Sequence, residues 1–389
     1  MPARLSSPVA RLAAHRVPGD QVVPEQSAGL LPYLAGLPDP RDRRGRRHGL
    51  VGVLAVAVCA VLAGAKSFAA IGEWAADAPS QVLRALGVRS DPLTGVVAAP
   101  DEATVRRVLT GIDGDALDAA VGAWLRGLAL GRQAASPAVL APRPAVGVDG
   151  KTLCGSGPAG AQVHLLAAMD HAGQAVLAQV EVDGKTNEIT AFGPLLNRLD
   201  LAGTVVTSDA LHTQREHAQY LVTVKQAAYI CIVKRNQPTL YRQLKALPWR
   251  KVPIQDETHD RGHGRYEIRR LQVLSTDALD FPHAAQAIRI VRRVRNQKTK
   301  KWRTVTVYAI TSLTAIQAGP AELAGYIRGH WAIEALHHIR DVTYAEDASQ
   351  VRTGNAPASA TSPSACYAKP DNRTSRKRYA TTPVTTADP

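Results

Sequence analysis

Apolar residues recur at three- and four-residue spacing through LLPYLAGL, SFAAIGEWAADA, QVLRALGV, DEATVRRVLTGI and ALDAAVGAWLRGLAL, the period of helices that bury one face. The pattern predicts a small all-helical domain over residues 29–130. Asp101, ahead of ATVRRVL with one residue between, and Asp115, directly ahead of ALDAAVGAWL, are its expected N-caps. Residues 1–28 carry Pro, Gly and Arg without periodicity and are expected to be flexible. The segment GRQAASPAVLAPRPA breaks the helices, and a linker is expected over residues 131–144.

Beyond it the period changes. AVGVDGKTL, VHLLAAMD, AVLAQVEVD, TVVTSDA and AAYICIVK are short β-branched or apolar runs bounded by Gly, Asp and Ser. With ITAFGPLLNRL and LHTQREHAQYLVTV as helices, the order over residues 145–345 is strand, strand, strand, helix, strand, helix, strand. The first three strands are close enough in sequence to pair antiparallel. RYEIRRLQVLS, AQAIRIVRRV and WRTVTVYAITSL predict a β-rich insertion or extension at about residues 248–313. Helical spacing returns in GPAELAGYIRGHWAIEALHHIRDVTY and ends near Asp341. From Ala358 onward periodicity is lost among Ser, Thr, Pro and basic residues, so residues 358–389 are expected to be a disordered tail. The fold class is therefore α/β: a mixed sheet flanked by helices with a β-rich insertion, preceded by an all-helical domain.

At 389 residues and 45% hydrophobic content, the chain is long enough for two or three domains with full cores. Lys plus Arg number 47 against 33 acids, a net charge of +14, which favours a polyanionic partner, nucleic acid first. An anionic membrane is the competitor, because residues 50–65 form an uncharged apolar run behind the basic segment RDRRGRRHG. Its 16 residues fall short of the roughly 20 that a bilayer span needs, so no membrane partner is expected. Cys59, Cys154, Cys231 and Cys366 form no CxxC pair and are expected to be buried hydrophobes in a reducing cytosol. With no signal-peptide pattern at the N-terminus, cytoplasmic residence is expected.

Asp149 closes AVGVD and Asp209 closes TVVTSD. A strand order that brings those ends together would make two carboxylates converge, and they repel unless cations sit between them. Few hard oxygen ligands with room for water and phosphate suit Mg²⁺, and paired ions suit in-line phosphoryl transfer. Taken alone, an Asp at a strand end is more often a turn former or N-cap than a metal ligand, and Glu334 could be an ordinary exposed helix residue. His330, Glu334, His337 and His338 share helical spacing, but the HExxH string of zinc peptidases is absent. Arg289, Arg292, Arg293 and Arg295, followed by Lys298, Lys300 and Lys301, load one hairpin with positive charge; this is either a DNA contact or a charged strand edge that resists aggregation.

The strings VGVDGKTL, VHLLAAMD, VDGKTNEITAFGPLLNRLDLAGTVVTSDALHTQREHAQYLV, YICIVKRNQPTLY and YIRGHWAIEALHHIRDVTYAEDASQVRTGNAP are long, ordered and collinear. Through them the chain resembles the ISAs-one family of DDE transposases, within the wider IS-four-like group. DPRDRRGRRHGL with AVLAGAKSFAAIGEWA is similar to the family's N-terminal associated domain. The resemblance implies an RNase H-like core with a β-rich insertion before the last catalytic helix. It also implies Mg²⁺-dependent cleavage and strand transfer (Mn²⁺ substituting) on DNA at terminal inverted repeats and on target DNA, by a homo-oligomer. On matching positions Asp149, Asp209 and Glu334 would be the catalytic, metal-holding acids. Arg328, His330 and Trp331 would contact DNA at the cleaved end, and Lys151, His212, Lys234 and Asn236 would border the DNA track; Arg292, Arg293 and Arg295 of the charged hairpin are expected to meet the same DNA by their charge. Lys185 and Asn187 match family strings without an assigned role. The family continues after RTGNAP with an apolar helix and a basic helix, whereas this chain continues ASATSPSACYAKP; a frameshifted or degraded tail is the expectation. A DNA-binding relic without catalysis is the alternative function.

Overall fold

The computed structural model describes residues 29–134, 142–156, 162–182, 188–262 and 264–343. The expected N-terminal segment, linker residues 135–141, Lys185, Asn187, Cys366 and the tail lie outside the described residues.

Six helices come first: α1 (Leu30–Leu34), α2 (Leu50–Leu62), α3 (Phe68–Asp77), α4 (Ser80–Ala85), α5 (Glu102–Gly111) and α6 (Gly114–Ala134). The apolar run that competed as a membrane segment is α2. It is apolar all round because it is buried nearly all round, with α1, α3 and α5 packed against it. Among the described residues no helix is long and apolar enough to cross a membrane. Asp101 caps α5 as expected, accepting from the Thr104 amide at 2.7 Å. Asp115 does not cap α6. The helix begins two residues earlier, at Gly114, and Asp113 accepts from the Ala116 amide at 3.1 Å, leaving Asp115 in the first turn, where an acid suits the helix dipole.

The remaining elements are β1 (Ala145–Leu153), β2 (Val163–Asp170), β3 (Val176–Val182), α7 (Glu188–Asn197), β4 (Val205–Ser208), α8 (Arg215–Thr223), β5 (Ala228–Val233), α9 (Pro238–Ala246), β6 (Asp256–Gly262), β7 (Arg265–Ser275), β8 (Gln286–Asn296), β9 (Trp302–Thr311) and α10 (Pro320–Thr343). The strands form one nine-stranded sheet in the order β3-β2-β1-β4-β5-β9-β8-β7-β6. β1, β4 and β5 run parallel, while the other neighbours are antiparallel. This mixed sheet with an antiparallel meander beside parallel strands is consistent with the RNase H-like core.

The β-rich insertion is not a separate layer. β9 pairs with β5 from Ile230↔Thr311 to Val233↔Tyr308, so β6–β9 continue the core sheet. β6, DETHDRG, has no buried residue and carries no apolar signal; as an edge strand it is covered on one side only, and its charges discourage further pairing. The opposite edge is covered by α6. Asp118 accepts from the Gln179 amide at 3.1 Å and Arg126 donates to the Leu177 carbonyl at 2.9 Å, so side chains of α6 satisfy outward backbone groups at both residues of β3.

Candidate active site

The register of β1 against β4 pairs Val148 with Ser208. The next residue on each strand is an acid, so Asp149 and Asp209 leave neighbouring parallel strands at the same level. Side chains alternate along β1. Val146 and Val148 enter the core shared with α7 and α8, and Gly147, Asp149 and Lys151 face α10.

α10 lies along that face as a ladder. His330 sits above Gly147, His337 places Nδ1 3.6 Å from the Asp149 carboxylate, and Asp341 forms an ion pair with Lys151. Four residues of strand rise about 13 Å and eleven of helix about 16 Å, so the rungs stay nearly level. Ile333 and Leu336 pack on Ala167, Met169 and Val176 and hold the helix down. Two glycines lie at the close approach, and only Gly329 leaves no room for a methyl. A Cβ on Gly147 would stand 3.3 Å from His171 Nε2 and 3.5 Å from His330 Nδ1, and one on Gly329 would collide with the His171 ring. Thr207 ties both histidines to the sheet, its hydroxyl 3.0 Å from His171 Nε2 and 3.0 Å from His330 Nδ1.

Burial, above all, pushes Asp149 up to about 7. The Gly150 amide opposes the rise, and the carboxylates of Asp209, Glu334 and Glu188 add to it. The nearby histidines do not neutralise this charge. Burial pushes His330 down to about 4 and His337 down to about 3, so both are neutral at pH 7. Asp209 Oδ1 accepts from the amides of Leu211 (2.9 Å) and His212 (3.4 Å), which orients its carboxylate at the start of the next loop. Glu334 is exposed and lines a cavity of about 280 Å³ together with Asp209. Among the described residues no three His, Cys, Asp or Glu side chains form a ready-made metal cage. The donor chemistry nonetheless fits a hard divalent cation, because carboxylates from three elements come close enough for Asp209 and Glu334 to raise Asp149.

The cavity has an apolar floor including Ile232, Leu271, Ile290 and Ile327 and a cationic rim of Lys234, Arg269, Arg292 and Arg328 beside Trp331. The Arg292 guanidinium lies 4.6 Å from the Trp331 ring centre and is held in a fork by Glu267 at 2.9 and 3.0 Å. Arg328 stands 3.6 Å from Asp256. Arg293 and Arg295 lie over Trp302 instead, at 4.8 and 5.9 Å. Strand parity thus divides the basic cluster between the two faces of the hairpin.

Other sequence-predicted residues take less exposed places. Lys151 is 5% exposed, and His212 is 1% exposed beneath Glu188. Asn236 donates to the Ala210 carbonyl at 2.5 Å, bracing the loop behind Asp209. Cys59 and Cys231 are buried as expected, but Cys154 is exposed because it sits just past the end of β1. Sequence reasoning missed Glu188, His164, His171 and Thr207. Glu188 directly follows the GKTN string, but an acid opening a helix carries no further signal.

Acids at the ends of neighbouring parallel strands, faced by a helix that brings a third, sit on a mixed sheet consistent with the RNase H-like fold. A family profile described as "Transposase DDE domain" matches residues 144–358, and one described as "DDE_Tnp_1-associated" matches residues 31–125. The chain belongs to this DDE transposase family. It is similar to "Putative transposase YncI" of Escherichia coli O157:H7, 30% identical over 349 residues, 84% of this chain and 83% of that protein. It is also similar to "H repeat-associated putative transposase YhhI" of Escherichia coli strain K12, 28% identical over 351 residues, 84% of this chain and 86% of the relative.

Proposed function

We propose that this protein cleaves and joins DNA at the ends of an insertion sequence, with Asp149, Asp209 and Glu334 as its catalytic acids and Mg²⁺ as its ion. The observation that carries this reading is the acid cluster itself: Asp149 is raised to about 7 by burial and by neighbouring carboxylates, beside a cavity with a cationic rim. A Mg²⁺ ion held by the three carboxylates, replaceable by Mn²⁺, would supply charge stabilisation at the attacking and leaving oxygens.

The chain's own residues supply the rest. Lys234, Arg269, Arg292 and Arg328 offer positive charge to the phosphates of a strand entering the cavity, with Trp331 as a flat wall. The apolar floor excludes water from their far side, which strengthens each charge contact. Neutral His330, anchored on Thr207, fixes the helix turn that presents Glu334. Residues 29–130 would locate the terminal inverted repeats, and the outer hairpin face with Arg293 and Arg295 would hold the phosphate backbone. Lys151, His212 and Asn236 act behind the DNA track, by keeping the acid-bearing loops in place. The finer placement within the ISAs-one family, a homo-oligomeric synaptic complex and action at the nucleoid in the cytoplasm belong to the same proposal.

The test is cleavage of a labelled duplex carrying the cognate element end, with Mg²⁺, Mn²⁺ or EDTA, by this chain and its Asp149→Ala variant. Metal-dependent nicking at the end that disappears in the variant supports the reading. Salt-sensitive DNA binding with no cleavage by either protein overturns it in favour of a DNA-binding relic.

A further inference from the structure

A carboxylate held by two histidines lies on the other side of β1. Glu188, the first residue of α7, accepts from His164 Nε2 at 2.7 Å through one oxygen and from His212 Nε2 at 3.3 Å through the other. With its Nε2–H committed to Glu188, His164 has Nδ1 free to accept from the Thr152 hydroxyl at 2.8 Å. The chain of bonds therefore starts on β1, three residues beyond Asp149, and ends in the loop that begins with Asp209. His212 is buried and stacked on Phe192, ring centres 5.1 Å apart, and its amide is one of the two that orient the Asp209 carboxylate. Gly150, directly after Asp149, completes the clamp: a Cβ there would lie 2.5–2.6 Å from the Glu188 carboxylate.

We propose that Glu188 is a positioning residue which, through His164 and His212, locks the β1 end carrying Asp149 to the loop carrying Asp209, setting the separation of the two catalytic acids. The proposal rests on the transposase reading of those aspartates. Both histidine bonds hold the Glu188 carboxyl down at about 2, so it stays ionised and keeps both acceptors at neutral pH. Glutamine in its place keeps one acceptor but turns an NH₂ toward the second histidine's N–H, which opens half of the clamp. Supporting contacts of this kind typically change activity or metal affinity by about 10–100-fold.

The experiment uses the full chain and three variants: Glu188→Gln, Gly150→Ala, and Gly150→Ala combined with Glu188→Asp, whose shorter side chain withdraws the carboxylate from the new methyl. End cleavage, end binding and amide hydrogen exchange over residues 209–214 are measured on each. The expected result is that Glu188→Gln and Gly150→Ala each slow cleavage at least tenfold with end binding within twofold of the parent. Both should speed exchange at Leu211 and His212, and the double variant should recover over Gly150→Ala alone. Cleavage by Glu188→Gln within twofold of the parent, with exchange unchanged, overturns the proposal. Should the parent chain itself fail to cleave, the transposase reading fails, and the exchange comparison alone decides whether Glu188 clamps the loop.

Discussion

Replacing Asp149 by Asn should stabilise the protein in the absence of metal while abolishing its proposed activity, and the size of the gain follows from the acid cluster. Burial, with Asp209, Glu334 and Glu188 adding to it, raises the folded-state value of Asp149 from 3.8 to about 7. An acid whose folded value lies above its unfolded one binds more protons folded than unfolded between the two, so stability falls as pH rises across that window. The fall begins near pH 4 and is complete above about pH 7. At 1.36 kcal/mol per tenfold change in proton affinity, the ceiling is about 4 kcal/mol. Water reaches roughly a quarter of the side chain (26% exposed), and local relaxation softens the penalty, so about 2 kcal/mol is the working figure. Asn cannot ionise and escapes the loss.

The assay is thermal unfolding of parent and Asp149→Asn at pH 5 and pH 8, with EDTA or Mg²⁺. The variant's advantage should grow with pH, reaching about 4–8 °C at pH 8 if some 200 residues unfold as one unit. Mg²⁺ should raise the parent's Tm at pH 8 and leave the variant's nearly unchanged, because the ion replaces the missing counter-charge only where three carboxylates remain. An Asn variant less stable than the parent at pH 8, or a difference that does not vary with pH, would refute the electrostatic account of the site.

Two further outcomes follow from the geometry. Arg293→Gln with Arg295→Gln should flatten the salt dependence of DNA binding by about 1.8 log units per log unit of salt, at about 0.9 per phosphate contact, and leave the Trp331 cavity intact; fluorescence anisotropy over a salt series measures it, and an unchanged slope removes the outer face from the DNA track. Gly329→Ala should destabilise by about 1–3 kcal/mol, because the methyl meets the His171 ring held by Thr207; a gain in Tm, as helix propensity alone would give, would show that α10 is not pressed against β1.

Much of the fold is legible because the hydrophobic period changes where the architecture changes, from helical spacing before residue 134 to short β runs after residue 145. What the period does not carry is pairing between distant segments. Nothing in WRTVTVYAITSL says that β9 joins β5, yet that join turns an expected insertion into the outer half of one sheet. β6 escapes detection because a solvated edge strand needs no apolar face. The cap of α6 is misplaced by two residues because Asp113 and Asp115 are chemically equivalent in the string IDGDAL, and only the backbone decides which one precedes the helix.

The site divides along the same line. Asp149 and Asp209 are visible because each ends an apolar run, and Glu334 only through the strings that surround it. Glu188 stays hidden because its role depends on two histidines distant in sequence. The split of the arginines, by contrast, follows from parity alone: Arg292 and Arg293 are adjacent on a strand, so they must leave opposite faces. Parity also explains why the acid cluster can exist. On β1 the residues Val146 and Val148 hold the strand in the core, so Asp149 is not needed to anchor it. α10 is secured by Ile333 and Leu336 and by the His330 and His337 rungs, so Glu334 is not needed to anchor the helix. The repulsive carboxylates are thus carried on elements whose attachment lies elsewhere, which is why removing one of them should stabilise the fold.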